Sequence, residues 1–369
     1  MMARQKAITV LTLDAGGTNF VFSAIRDFTE IATPIVLPAN AHDLSKCLGN
    51  IIEGFAQLSK QVASFDAISF AFPGPADYHQ GIIGDLPNFV AFTGGVPLAA
   101  ILQNKFKVPV FINNDGNLFA SGEALVGFLP ELNRRLSEAG GQKRFQNLIG
   151  ITLGTGFGCG IVSNGNLLVG DNSSGAEIHN TINLNNQNWN AEESVSTRAI
   201  QRLYAEHAGL SFDSSIMPKT IFDIANGNEV GSVIAANKAF EAYGKALGAS
   251  IVNVLTMIDG IVVIGGGLSA SWELFAPSMF EEINRPIQNF KGEPTSRLSF
   301  RVYNLEDTDT FVEFAKGEIT ELTVPDSNET VLYDLLPRTG VGLSSLGGSR
   351  AISLGAYAFA AQQLQKEIL

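Results

Sequence analysis

The most constraining feature of this chain is an internal echo. LTLDAGGTNFVFSAI, from Leu11, and ITLGTGFGCGIV, from Ile151, each read as a strand, a turn containing Gly and Thr, and a second strand. Two copies so far apart in the chain do not stack into a solenoid. They point instead to two related domains, each built on a glycine-rich hairpin. The rest of the pattern alternates strands with helices, which predicts an α/β protein.

The coarse reading places a helix over 41–62, strands at 66–72, 108–113 and 148–153, and a helical stretch after Asn117. Residues 172–197 are rich in Asn and Ser and read as a long loop, a kind of segment that is more often functional than filler. A long helix over 229–258, a strand at 260–264 and a helix over 270–285 follow. Residues 286–346 are weakly patterned, with one strand at 298–303, and an Ala-rich helix closes the chain from about 348 to 366. The expected domains are 1–125, with the last helix (about 348–369) returning to it, and 126–347. The 369 residues suit two domains, and the 45% apolar content is enough for two cores.

Composition excludes several classes. With 24 Lys and Arg against 36 Asp and Glu, the net charge of −12 and the lack of a basic run argue against nucleic-acid binding through phosphates. Cys47 and Cys159 cannot make a disulfide framework or a Cys-rich metal site, so reduced thiols in a cytoplasmic protein are expected. The N-terminal segment reads as a first strand and not as a signal peptide. The most apolar stretch, from Ile251, is interrupted by Asp259 and three consecutive glycines, so no membrane span is expected.

The two glycine turns, Asp14 to Asn19 and Gly154 to Gly158, are natural anion cradles, because amides can converge on phosphate oxygens where no Cβ intervenes. Taken singly, each is better read as a plain hairpin turn. Their pairing favours a two-sided phosphate clamp. No GxxxxGK[ST] sequence exists, and Gly154 to Cys159 leads into a strand where a dinucleotide fingerprint needs a helix. Gly265 to Ala270 matches GxGxxA after a strand. Asn114-Asp115-Gly116-Asn117 opens a helix at a strand end, where α/β proteins place ligands, although Asp115 could simply cap that helix. Glu177, His179, Glu192 and Glu193 lie in the polar loop.

LDAGGTNF, AFPGPAD, INNDGN, GITLGTGFGCGIV and IVVIGGGLS occur in this order and at these intervals in the ROK family (repressors, open reading frames, kinases) of sugar kinases. The chain is similar to that family from residue 9 to 270, and the glycine-rich helix from Gly347 extends the match. The resemblance implies the actin-like ATPase fold, two ribonuclease-H-like α/β domains with ATP and sugar in the cleft between them. It implies that Asp14, Gly16, Gly17, Thr18 and Asn19 form the first phosphate loop, with Asp14 near Mg²⁺, directly or through water. Gly154, Thr155 and Gly156 would form the second, and Gly265, Gly266 and Gly267 would pass close to the adenosine. Asp115 matches the general base. Asn88, Asn114, Glu177, His179 and Glu193 match sugar contacts, and Pro73 and Gly74 the interdomain connection. A homodimer is compatible with the family.

Two departures stand out. Many members carry a zinc-binding run, CxCGxxGCxE, just after Glu-x-Gly-His; residues 180–193 here contain no cysteine, so no structural zinc is expected and the loop must be held otherwise. The glycine before the histidine is also missing in Glu177-Ile178-His179. The leading expectation is an ATP- and Mg²⁺-dependent hexose kinase acting on a primary hydroxyl of glucose or a related sugar. A kinase for fructose or an N-acetylated amino sugar, and a non-catalytic sugar or nucleotide sensor, are the alternatives. A repressor would need an N-terminal helix-turn-helix, for which there is no room before Asp14, and a dinucleotide oxidoreductase would leave the other motifs unexplained.

Overall fold

The computed structural model describes residues 7–366 except Gly17, Pro75 and 85–89. The chain divides into two compact units: one from the chain up to Gly127, Gly160–Ala176 and the segment from Leu346 onward, the other from Phe128–Cys159 and Glu177–Ser345.

The first unit starts with the hairpin β1 (Thr9–Ala15) and β2 (Asn19–Arg26), then β3 (Thr29–Glu30), β4 (Ile35–Pro38) and helix α1 (Leu44–Ser59). It continues with β5 (Ala67–Ala71), the short β6 (Ala76–Asp77) and β7 (Ile82–Ile83), α2 (Leu98–Phe106), β8 (Val110–Asn113) and α3 (Asp115–Leu125). The main sheet runs β3-β2-β1-β5-β8, with β4 also on β2. β1 is antiparallel to β2 and parallel to β5, which is parallel to β8. β1 is buried from Thr9 to Leu13, as expected of a strand covered on both faces. α1 begins inside the expected span because the Asp43 carboxylate accepts from the Lys46 amide at 3.1 Å. It buries Cys47, Ile51, Phe55 and Leu58, one stripe at helical spacing. Phe22 and Phe55 meet edge to face at 5.0 Å between ring centres.

Beyond α4 (Phe128–Glu138) come β9 (Leu148–Leu153), β10 (Phe157–Ser163), β11 (Asn166–Leu167), and helices α5 (Thr197–Ala208), α6 (Pro218–Ala225) and α7 (Val233–Met257). β12 (Ile261–Gly265), α8 (Trp272–Asn284), the hairpin β13 (Ile287–Gln288) and β14 (Pro294–Thr295), β15 (Arg301–Asn304) and α9 (Thr308–Lys316) follow. The hairpin β16 (Ile319–Thr323) and β17 (Thr330–Asp334), then β18 (Arg338–Leu343) and α10 (Gly348–Lys366) complete the chain. In this sheet β10 lies beside β9, and β9, β12, β18 and β15 follow in that order. β9, β12, β18 and β15 are mutually parallel neighbours. Each sheet is thus a hairpin whose first strand continues into parallel partners, and the sequence echo is an echo of topology.

The second half of β10, with β11 and the residues to Ala176, packs in the first unit, although the sequence reading put it in the second domain. Close packing accounts for this. A Cβ on Gly160 would lie 2.4 Å from the Gly116 carbonyl oxygen, and Gln362 donates to the Gly165 carbonyl at 2.9 Å. α10 packs against α3 at glycines: a Cβ on Gly355 would sit 1.8 Å from the Leu118 carbonyl oxygen, and one on Gly122 2.1 Å from that of Ala351.

Residues 286–346 hold more structure than their pattern suggests. The strand expected at 298–303 is β15, four residues starting at Arg301 and pinned by Asn284, which exchanges two side-chain hydrogen bonds with Val302 at 3.0 and 3.2 Å. β18, a buried central strand, has no counterpart in the sequence reading. Its glycines conceal it. Gly340 lies under Leu305 and Gly342 against the Phe128 ring, so neighbours supply the apolar bulk that the strand lacks. Arg338, almost fully buried, donates to the Phe314 carbonyl at 2.6 Å and pairs with Asp334, fixing the base of the β16–β17 hairpin. Among the described residues, no helix is long and apolar enough to cross a membrane.

Candidate active site

In the first unit, register gathers the predicted residues at one sheet edge. Asp14 pairs with Ala71 and Ala71 with Asn113, so β1, β5 and β8 end on one row. Asp14, Thr18 and Asn19 belong to the first turn there, with Thr18 and Asn19 exposed. The turn is tight: a Cβ on Gly16 would lie 2.8 Å from the Asn19 carbonyl oxygen. The Thr18 carbonyl accepts from the Ala39 amide at 2.9 Å, tying the turn to its own sheet.

The same row continues into α3. Asn114 is the N-cap: its side-chain oxygen accepts from the Asn117 amide at 2.6 Å. Asp115 is therefore not the cap. It stands in the first turn of the helix, exposed, with Oδ1 accepting from the Gly116 amide at 2.9 Å. A carboxylate is favoured at this positive end of the helix dipole. Asn113 fixes the junction, its Oδ1 accepting from the Asn114 amide at 3.0 Å and the Asn117 side chain at 2.8 Å. Pro73 is half-buried and Gly74 exposed. Asn88 and Gly17 lie outside the described residues.

In the second unit, Gly154, Thr155 and Gly156 form the turn from β9 to β10. Gly265 pairs with Thr152, and a Cβ on Gly266 would lie 2.3 Å from the Leu153 carbonyl oxygen. Gly266 also has φ near +90°, so glycine is required there twice over. The two glycine runs thus meet at one strand-end row. Thr197, opening α5, donates to the Gly154 carbonyl with its amide at 2.8 Å and its hydroxyl at 3.0 Å.

The polar loop splits its predicted residues. Glu177 Oε2 and His179 Nδ1 are 2.9 Å apart, both side chains about one-third exposed. The hydrogen bond to Glu177 raises the His179 pKa; burial opposes it, and the charges of Glu177 and Glu192 add to it. Cys159 is buried, and its thiol pKa is pushed up to about 12 by burial and then by Glu177, so it stays protonated. Glu193 turns outward, its Oε1 2.7 Å from Arg198. Glu192 turns inward, its Oε2 accepting from the Phe157 amide at 3.0 Å.

Arg198 and Asn183 are functional candidates that the sequence reading did not select, and Glu192 is one that it named in the polar loop without a role. Asn183 answers how the cysteine-free loop is held. Almost fully buried, it donates to the Asn190 carbonyl at 3.0 Å and to Ser194 Oγ at 2.7 Å, and accepts from the Asn185 amide at 2.9 Å. Only its burial singles it out among neighbouring asparagines.

Residues 10–309 match the model of the ROK family. A glucokinase from Thermotoga maritima is 26% identical over 306 residues, covering 77% of this chain and 90% of that protein. An N-acetyl-D-glucosamine kinase from Vibrio vulnificus is 27% identical over 296 residues, covering 75% and 88%. The crystal structure of a glucokinase from Parabacteroides distasonis superposes with a TM-score of 0.89 at 50% identity, covering 98% of this chain and 99% of that one. The paired sheets are those of the actin-like ATPase fold, and the chain belongs to the ROK family.

Proposed function

We propose that this sugar kinase transfers the γ-phosphoryl group of ATP to the primary hydroxyl of a hexose, glucose or a near relative, giving hexose 6-phosphate and ADP. The observation that carries the reading is Asp115: an exposed carboxylate at a strand-end row, with capping assigned to its neighbour Asn114. The high identity to a glucokinase across nearly the whole chain supports glucose as the first sugar to test.

In this reading Asp115 accepts the hydroxyl proton as the hydroxyl oxygen bonds to the γ-phosphorus and the bond to the β-phosphate oxygen breaks. Asn113 and Asn114 hold the start of α3 and so the position of Asp115. Glu177, His179 and the loop behind them contribute hydrogen bonds to sugar hydroxyls.

The second turn suits a polyphosphate. Gly154 and Gly267 have open space where a Cβ would point, Thr155 is exposed, and among the described residues nothing accepts from the Thr155 and Gly156 amides. Such amides bind phosphate oxygens. Asp14, partly exposed at the end of β1, is a hard oxygen donor of the kind Mg²⁺ takes, directly or through water. Bound Mg²⁺ would supply charge neutralisation on the transferring phosphates.

The test is ADP release with MgATP against hexoses, N-acetylated amino sugars and a blank without sugar. Sugar-dependent release is expected, falling by about 10²–10⁴-fold in Asp115→Asn. Nucleotide binding without release for any sugar would replace the kinase with a sensor.

A further inference from the structure

Two hairpins stand at the same end of the second sheet. β15 and β18 are parallel neighbours in register from Arg301 and Arg338, so both strands start on one row. β13–β14 leads into the first of them and β16–β17 into the second. The glycine runs lie at the other end, where β9 and β12 finish.

β16–β17 is a two-stranded sheet of its own, and nearly all of its residues are exposed. Register puts Leu322, Val331 and Tyr333 on one face and Ile319 and Leu332 on the other, each 40–55% exposed. A lone hairpin with apolar residues on both faces is marginal in water and offers open strand edges, so it calls for a cover. Its base is fixed: the Asp334 carboxylate accepts from the Glu318 and Leu336 amides at 3.1 Å and pairs with Arg338. Its charge is of one sign. Residues 318–335 contain no Lys or Arg, and among the described residues Glu318, Glu321, Asp326 and Glu329 have no basic partner.

β13–β14 carries the complementary tip. Asn289 builds it, its side-chain oxygen accepting from the Lys291 and Glu293 amides at 2.9 and 3.1 Å. Phe290 stands 95% exposed there, and Lys291 lies 5.7 Å from the centre of that ring, without a carboxylate partner among the described residues. An exposed aromatic ring beside a cation on a braced turn has the make-up of an interface anchor.

We infer that the two hairpins are assembly arms for a second copy of this chain, the Phe290–Lys291 tip of each seating on β16–β17 of the other. Charge names the occupant, because a copy of the chain offers both the cationic tip and the anionic arm. Edge-to-edge pairing of two β16–β17 hairpins would instead set carboxylates against carboxylates. The crosswise contact is self-complementary about a two-fold axis. Residues 287–295 and 318–335 together number 27, within the roughly 20–30 a side that a standard interface uses. Phe290 lies on Leu322, Val331 and Tyr333, with Lys291 near Glu329, which strand alternation places on that same face. β16–β17 lies beyond residue 309, where the family match ends, so this arm stands outside the matched family core.

The experiment is sedimentation equilibrium on the full chain, up to about 100 µM, above the μM-to-pM range that interfaces of this size span. Wild type is expected to associate reversibly. Phe290→Ala should raise the dissociation constant at least about thirty-fold, as loss of an anchor does. Lys291→Glu and Glu329→Lys should each raise it at least about ten-fold, and the two combined should return it to within about three-fold of wild type. All three side chains are exposed, so the variants keep the fold, and thermal unfolding checks this. If the chain also pairs through another face, the arm variants halve the mass of the assembly. A monomeric wild type overturns the inference, as does an assembly that Phe290→Ala leaves intact or a charge pair that the combined variant fails to restore. Mass is the readout, so loss of the kinase reading would leave the result untouched.

Discussion

The two glycine turns share a sequence plan and differ in what holds them. The first is secured by its own sheet: Gly16 abuts the Asn19 backbone, and Thr18 is tied to Ala39 beside β4. The second is secured from a distance in sequence, Gly154 by Thr197 and Phe157 by Glu192. A turn braced by its own strands keeps its shape whatever the loops do. A turn braced by a loop side chain and a helix start inherits the state of both. The first turn is held within its own sheet, and the second leans on a loop side chain and a helix start.

The largest expected effect comes from placing the same substitution in both turns. Gly16→Ala drives a methyl into a backbone carbonyl and should cost about 1–3 kcal/mol in denaturant unfolding. In Gly156→Ala the obstacle is the end of the Glu192 side chain, which can swing aside, so unfolding changes by under about 1 kcal/mol. On the proposed reading, what suffers there is nucleotide affinity. Equal losses of stability in both would erase the distinction between the turns.

Asn183→Asp comes next. It sets a carboxylate against the Asn190 carbonyl, where an amide now donates, and should cost about 1–3 kcal/mol. Hydrogen exchange reads the comparison directly: the Phe157 amide loses protection while the Ala39 amide keeps it. Thr197→Val is milder. It removes the hydroxyl bond to Gly154 and leaves the amide bond, for about 0.5–1.5 kcal/mol, again with exchange quickened only around the second turn.

Both turns were legible in sequence because their signal is local: an apolar strand, a glycine run and a second strand within a dozen or so residues. Their supports were not. Glu192 and Glu193 are neighbours of one type, and the 3-10 turn Ala191–Glu193 decides which carboxylate faces inward. Ala191 is anchored there by its amide to the Thr181 carbonyl, a contact that no local pattern announces. Asn114 and Asp115 present the same difficulty, since either could cap and only the backbone settles that Asn114 does. β18 was missed for a related reason. Its core contribution is made by Leu305 and Phe128 packing onto its glycines, so its own residues carry little strand signal. The family resemblance supplied roles for the polar residues, but the support beneath them had to come from the fold.

The smallest effect is a titration. The hydrogen bond to Glu177, with the charges of Glu177 and Glu192, raises the His179 pKa above its ordinary value against the pull of burial. The folded state then holds a proton that the unfolded state has released. Since ∂ΔG/∂pH follows the unfolded minus the folded proton count, stability declines with rising pH in that window. The contribution is whole below about pH 6.5, the ordinary histidine value, and is lost as pH rises through the folded pKa. NMR of the imidazole carbons should show His179 titrating above that ordinary value in wild type. Glu177→Ala should lower its pKa the most, because it removes the hydrogen bond and the nearer charge together. Glu192→Ala should lower it less, because it removes one charge only. A His179 pKa that ignores Glu192 would mean the carboxylate bracing the second glycine turn is electrically remote from the Glu177–His179 pair, and the contrast between the two turns would then rest on hydrogen bonds alone.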